Sequence, residues 1–213
     1  MLYWNTVNDL LKECLIKLMQ AEELKDFRLV GGTALSLHLG HRISIDIDLF
    51  TDAAYGSINF NFIENFLQNT FNNVQGDFST KAGMGKSYLI GKDPKQVVKL
   101  DIFYSMDPFF QDTFEEDGLR MASIEEIIAM KIDIVQRGGR KKDFWDLHEL
   151  LDSYSIQNMI ELHAQRFLWT HETLLIQKNI ANFTKADLEP DPICLKGKYW
   201  VLIKEDIEEA STL

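Results

Sequence analysis

Residues 31–50 read GGTALSLHLGHRISIDIDLF, and this stretch of the sequence decides the fold class. From Ile43 to Phe50 apolar and polar residues alternate, which is the two-residue period of a strand. Residues two apart on a strand share a face, so Asp46 and Asp48 lie side by side while the apolar residues from Ile45 onward enter the core. Neighbouring carboxylates repel unless a cation or a proton relieves them, and such oxygen ligands suit Mg²⁺ bound to substrate phosphates. The pair therefore indicates a magnesium site, with a solvated strand face as the alternative interpretation.

The residues before this strand form a candidate phosphate site. Gly31, Gly32 and Thr33 stand between the run Phe27–Val30, which predicts a strand, and the run Thr33–Leu39, which predicts a short buried helix. Glycine permits close approach to the backbone, and a helix N-terminus offers free N–H groups and a positive dipole end to a phosphate. This order of elements would bring phosphates and metal ligands to one end of a sheet. A plain tight turn is the alternative.

Asp101 is a third candidate carboxylate. In the run Val97–Phe103 polar and apolar residues again alternate, which predicts a strand with Lys99 and Asp101 on its polar face. On an adjacent strand, Asp101 would lie beside Asp46 and Asp48. There it would bind the metal or accept the proton of an attacking hydroxyl group.

The composition excludes several classes of protein. The chain has 213 residues, of which 46% are hydrophobic and 26% charged, as expected for a globular protein with its own core. A formal net charge of −11 argues against non-specific coating of nucleic acid, which needs a basic surface. Two cysteines are too few for a disulfide framework, so a reducing cytoplasm is the expected compartment. The sequence shows neither a signal peptide nor a run of about 20 apolar residues, and no membrane partner is expected.

The order of the elements predicts an α+β fold in two parts. Strand-like stretches between Phe78 and Tyr104, together with the strands already described, predict a small mixed sheet with flanking helices. From Ser123, which begins a capping box, the chain is predicted to be helical. We therefore expect a first domain at 1–120 and a C-terminal helical lobe at 121–213 that completes the cleft.

These motifs resemble the polymerase-β-type nucleotidyltransferase superfamily. They resemble more closely its AbiEii/AbiGii toxin branch, whose members are toxins of bacterial toxin–antitoxin and abortive-infection systems. The resemblance covers most of Leu29–Leu151. Two motifs carry the resemblance. In the first, within residues 31–50, the matching positions are Gly31, Gly32, Thr33, Arg42, Ser44, Asp46 and Asp48. In the second, in the helical part of the chain, they are Lys131, Arg137, Lys142, Asp143, Asp146 and Leu147.

The resemblance implies a nucleotidyltransferase fold and assigns a role to each group of these residues. The three aspartates at 46, 48 and 101 would bind Mg²⁺, or Mn²⁺ in its place, and would act in catalysis together with Lys131. The nucleotide would be bound by Gly31, Gly32, Thr33, Arg42, Ser44, Asp143 and Asp146. The implied partners are an NTP, an acceptor that is RNA (with tRNA among the candidates) or protein, and a cognate antitoxin.

The position of Lys131 supports this interpretation independently. Lys131 lies among apolar residues on the helix predicted from Ser123, and burying an unpaired ammonium group is costly. It therefore either extends to solvent at the edge of the stripe or faces the cleft, where it offsets phosphate charge or pairs with Asp143 or Asp146. Those two aspartates are three residues apart and share one side of the next helix, although a solvated charged face is also consistent with them.

The hypothesis from the sequence is transfer of a nucleoside monophosphate from an NTP to an acceptor, with pyrophosphate as the leaving group. Two alternatives stay open at this point. One is a phosphotransferase of the same fold that moves the γ-phosphoryl group, and the other is a catalytically degenerate module that acts by binding a partner. The intact set of Asp46, Asp48 and Asp101 argues against the second alternative.

Overall fold

This computed structural model describes residues 1–212. The strand that ends the stretch 31–50 lies near the centre of a mixed β-sheet. Within residues 1–212 the strands are β1 (Arg28–Leu29), β2 (Asp46–Thr51), β3 (Asn73–Gly76), β4 (Gly85–Asp93), β5 (Gln96–Tyr104), β6 (Phe114–Glu116) and β7 (Leu119–Met121). The α-helices are α1 (Asp9–Gln20), α2 (Gly31–Leu39), α3 (Phe60–Thr70), α4 (Ile124–Gln136), α5 (Lys141–His148), α6 (Ile156–Arg166), α7 (Thr173–Ile180) and α8 (Trp200–Thr212). The α+β fold predicted from the sequence is confirmed.

Local sequence signals set the ends of the principal helices. Asn8 caps α1 by accepting a hydrogen bond from the backbone N–H of Leu11 at 2.8 Å, and Ser123 caps α4 by accepting one from Glu126 at 3.2 Å. Gly40 ends α2 in the left-handed conformation, at φ +67°, where a side chain would be strained. Ser123 therefore caps α4 as predicted, but the reciprocal half of the capping box is absent, because the Glu126 carboxylate accepts from the backbone N–H groups of Phe110 and Gln111.

The order of the strands is β3-β4-β5-β2-β1-β7-β6. β2 and β5 are parallel neighbours, and their register places Asp48 opposite Asp101 and Asp46 opposite Lys99. β1 pairs with β2 in antiparallel and with β7 in parallel orientation. The adjacency of the two aspartate-bearing strands is the feature on which the site depends.

One expectation about the central strand is corrected. β2 begins only at Asp46, whereas the alternation predicted a strand from Ile43, and Ile45 is 64% exposed instead of buried. The backbone N–H groups of Ile43 and Ser44 donate to the carbonyls of Ile193 and Thr6, so this segment is held by both ends of the chain and not by the sheet. A periodic pattern cannot reveal such non-local partners.

The C-terminal half is helical, as predicted, and packs against the sheet through a continuous apolar core. The expected boundary at 120 falls inside β7, whose residues Leu119 and Met121 are buried in that core. The division into a domain at 1–120 and a lobe at 121–213 stays a prediction, and its last residue lies outside the described residues. None of the helices described over residues 1–212 has the length and apolar character needed to cross a bilayer.

Candidate functional site

The start of α2 brings backbone close to two charged side chains. Gly31 has a positive φ of +70°, and a Cβ atom added there would lie 2.9 Å from Oδ2 of Asp48. A Cβ atom on Gly32 would lie 2.5 Å from a terminal nitrogen of Arg42. Both positions require glycine, because any side chain would displace the carboxylate or the guanidinium group. The Gly-Gly pair is thus a point of close approach, as the sequence predicts for this turn.

Three carboxylates share the polar face of β2 and β5. Asp48 and Asp101 are direct cross-strand partners, and Asp46 lies two residues before Asp48 on the same face. Burial, with the nearby negative charges of Asp101 and Asp46, raises the pKa of Asp48 from 3.8 to about 6. The structure therefore brings Asp101 beside Asp46 and Asp48, as the sequence predicts for adjacent strands.

Asp101 is only partly compensated by its neighbours. Its Oδ2 atom accepts a hydrogen bond from the ammonium group of Lys99, while its buried Oδ1 atom finds no hydrogen-bond partner within residues 1–212. In this arrangement the described chain holds no group of three or more His, Cys, Asp or Glu side chains gathered as closely as metal ligands. The chemistry of the three aspartates nevertheless fits a divalent cation, because it would relieve their repulsion and occupy the unpaired oxygen.

A buried network of ion pairs forms the opposite wall. Lys131 contacts Asp143 at 2.7 Å and Asp146 at 2.6 Å, and all three side chains are buried. Arg42 donates from Nε and Nη2 to the two oxygens of Asp146, at 2.6 and 2.8 Å, and His41 contacts the same carboxylate at 2.8 Å. Burial alone would raise the pKa of Asp146, but Lys131 and Arg42 outweigh it and hold that pKa well below its usual value. The two aspartates thereby fix the positions of the cations.

Two more basic residues extend this wall. Arg140 donates from Nε to Asp143 at 2.9 Å. Burial lowers the pKa of Lys142, and the positive charges of Arg140 and Lys131 lower it further. The positive charges of Arg140 and Lys131 attract an anion to this region, so this wall suits a phosphate chain.

A cavity of about 750 Å³ lies between the carboxylates and the basic wall. The predicted residues that line it are Gly31, Gly32, Arg42, Ser44, Asp46, Asp48, Asp101 and Lys131, together with Arg137 and Lys142 of the second motif. Thr33, Asp143 and Asp146 do not line it: Thr33 bonds the hydroxyl of Ser44 at 2.7 Å and the carbonyl of Asp46, and the two aspartates lie behind Lys131 and Arg42. In the structure these three residues hold other residues of the site in position. Direct contact between each of them and a nucleotide stays a prediction.

Several cavity residues were not predicted from the sequence. Met130, Asp133 and Ile134 line it from α4, and their spacing of i, i+3 and i+4 is a helical stripe that could have been noticed. Other unpredicted lining residues, Met106, Arg166 and Trp169, come from loops and a helix end far along the chain. No local pattern in the sequence marks that second group.

Comparison with known proteins gives consistent results. A family model described as "Nucleotidyl transferase AbiEii toxin, Type IV TA system" matches residues 14–213. A protein of Aquifex aeolicus named aq_aa25 is 24% identical over 208 residues, which are 93% of this chain and 90% of that protein.

Solved structures show the same fold. JHP933 from Helicobacter pylori superposes with a TM-score of 0.60 at 21% identity, covering 99% of this chain and 90% of that one. MenT4, a nucleotidyltransferase toxin from Mycobacterium tuberculosis H37Rv, gives a TM-score of 0.60 at 13% identity, covering 92% of this chain and 78% of that one. At such identities the likeness shows a shared fold alone.

Proposed function

The chain belongs to the AbiEii nucleotidyltransferase toxin family, and from this premise we propose that it transfers a nucleoside monophosphate from an NTP to a macromolecular acceptor. The family also implies a cognate antitoxin as a partner. The observation that carries the proposal is the register of β2 and β5, which sets Asp48 beside Asp101 in the cavity that Lys131 and Arg42 also line.

The proposed chemistry divides between the two walls of the cavity. A divalent cation, Mg²⁺ or Mn²⁺, would be held by Asp46, Asp48 and Asp101 and would supply neutralisation of phosphate charge. Lys131 and Arg42 offset the charge that develops on the leaving pyrophosphate, because Asp143 and Asp146 hold them in position before substrate binds.

The transfer step forms one bond and breaks one. The acceptor oxygen bonds to the α-phosphorus, while the bond from that phosphorus to the bridging oxygen of the β-phosphate breaks and pyrophosphate leaves. The acceptor proton passes to Oδ2 of the Asp101 carboxylate, the oxygen that the cation on Oδ1 would leave free. We propose RNA, including tRNA, as the acceptor, with protein as the second candidate.

The test is transfer of label from each α-³²P-labelled NTP, with Mg²⁺, into total bacterial RNA and protein. We expect label in the RNA fraction with the wild type and none with Asp46→Ala. A matched control is Asp152→Ala, which removes an exposed carboxylate outside the cavity and should leave transfer unchanged. Transfer from γ-labelled but not α-labelled NTP would instead identify a phosphotransferase, and label in protein alone would overturn the choice of RNA.

A further inference from the structure

The lining of the cavity contains two chemically different sets of side chains. One set consists of the carboxylates and the basic wall, where phosphates and a cation would bind. The other set, called the apolar set, consists of large uncharged side chains, which are Met106, Met130, Ile134, Phe167 and Trp169. A triphosphate gains little from contact with apolar side chains, so this set suits another part of a ligand.

Two of these side chains are exposed to an unusual degree for their size. Trp169 is 91% exposed and Met106 is 80% exposed, although both line the cavity. Trp169 belongs to the loop between α6 and α7, and Met106 belongs to the loop after β5. Large apolar side chains left in water at the wall of a cleft are typical of a binding surface.

A single buried arginine ties these two loops together. Arg166, at the end of α6, donates to the hydroxyl of Ser105 at 2.8 Å and to the carbonyl of Pro108 at 3.2 Å. Its guanidinium carbon lies 5.1 Å from the ring centre of Phe167, and its charge is paired with buried Glu126. Ser105 and Pro108, on either side of Met106, are therefore held against the end of α6, where the loop that carries Trp169 begins, so the apolar set forms a built surface.

The loop between α6 and α7 is also fixed to α4. Gln136 donates to the carbonyl of Thr170 at 2.9 Å and accepts from the backbone N–H of Glu172 at 3.0 Å. The loop that carries Trp169 is therefore held against the helix that also carries Lys131.

We propose that Trp169 and Met106 bind the nucleobase of the incoming NTP, with Trp169 stacked on the face of the base. The inference rests on the proposed function, because it assumes that the carboxylates and the basic wall hold a triphosphate. The base of the NTP is the occupant, since Trp169 and Met106 line the same cavity as the residues proposed to hold its phosphates. Stacking tolerates every base, so Trp169 contributes affinity for all four NTPs and does not select among them.

The test separates base binding from phosphate binding. Affinities are measured calorimetrically with Mg²⁺ for two probes, an NTP with a methylene group between its α- and β-phosphorus atoms and inorganic tripolyphosphate. We expect Trp169→Ala to lose about tenfold or more in affinity for the NTP analogue, with tripolyphosphate affinity unchanged. Trp169→Phe should recover most of the loss, and Met106→Ala should show a smaller loss of the same kind.

Leu168→Ala is the matched control, because Leu168 is 73% exposed, precedes Trp169 directly and does not line the cavity. Three results would overturn the inference: equal binding of the analogue by Trp169→Ala and wild type, equal losses for both probes, or a loss confined to the KM of the acceptor. If wild type binds neither probe, the proposed function fails together with the inference. If wild type binds both and Trp169→Ala matches it, the inference alone fails.

Discussion

At the scale of single residues, the charged side chains of the site differ in how they are compensated. Asp143 and Asp146 face Lys131 and Arg42, so their charges are balanced inside the protein. Asp48 is buried beside two other carboxylates, and its pKa is raised to about 6 by burial first and by their repulsion second. The first arrangement stabilises the fold, whereas the second costs stability and prepares a site for a cation.

Substitution of Asp48 tests how far its buried charge lowers the free energy of unfolding. In the unfolded chain the carboxyl titrates near 3.8 and in the folded chain near 6, so between these values the folded state binds more protons. The free energy of unfolding therefore falls as pH rises through this window and stays lower above it. We expect Asp48→Asn, measured by urea unfolding with EDTA, to be more stable than wild type by about 1–3 kcal/mol at pH 8 and nearly equal at pH 4.

The same titration predicts the pH dependence of Mg²⁺ binding. Below pH 6 Asp48 becomes protonated and is a poor metal ligand, so Mg²⁺ affinity should fall steeply from pH 7 to pH 5. Calorimetric titration with Mg²⁺ across that range measures the effect. A constant affinity over the range would show that Asp48 is not a ligand.

Asp146, unlike Asp48, is a buried carboxylate surrounded by positively charged partners. It lies fully buried and accepts from Arg42, Lys131 and His41. Asp146→Asn would leave buried positive charge uncompensated, and we expect a loss of about 3–5 kcal/mol in the free energy of unfolding. The control is Asp152→Asn at an exposed position, which should change stability by less than about 0.5 kcal/mol. A small effect at Asp146 would mean that the buried network contributes little to the fold.

At the scale of elements, the site depends on the junction between β1 and α2 and on the pairing of β2 with β5. Gly31 lets the chain turn into α2 with its backbone against Asp48, while the parallel pairing brings Asp101 to the same place. Neither element forms a site alone. Their meeting explains why residues so far apart in the chain function together.

Substitution of Gly31 and of Gly118, which have similar φ angles, distinguishes the effect of backbone strain from an effect on the site. Gly31 has φ +70° and Gly118 has φ +78°, but a Cβ atom on Gly118 would meet nothing within 4 Å in the described part of the chain. We expect Gly31→Ala and Gly118→Ala each to lower stability by about 1–2 kcal/mol. Only Gly31→Ala should also lose NTP affinity, measured by calorimetry, because it displaces Asp48. Equal binding by both variants would contradict the placement of phosphates at α2.

At the scale of the whole molecule, one apolar core spans the sheet and the helical half. The C-terminal helix α8 joins it through Trp200, which stacks on Trp145 of α5 with ring centres 6.3 Å apart and an interplanar angle of 8°. A continuous core indicates that the two predicted parts unfold together.

Trp200→Ala tests that cooperativity. We expect it to lower the free energy of unfolding by about 3–5 kcal/mol and to accelerate amide exchange equally in β5 and α5 under conditions of global unfolding. Tyr199→Ala, at an exposed neighbouring position, is the control. Faster exchange in α5 with β5 unchanged would support two independent units divided near residue 120.

The sequence by itself determined the fold class and the central carboxylates. Period-two alternation and the Gly-Gly-Thr junction are local signals, so they single out Asp46, Asp48 and Gly31 without reference to distant parts of the chain. The capping residue Ser123 is equally local, and it fixed the start of α4.

Only the tertiary structure decided which residues face the cavity and which stand behind it. Asp143 and Asp146 share a helix side in the sequence, but their burial behind Lys131 depends on how α4 and α5 pack. Trp169 and Met106 reach the cavity because Arg166 joins two distant loops, and the late start of β2 depends on contacts with Thr6 and Ile193. Contacts between residues far apart in the chain are set by packing, which no short-range period encodes.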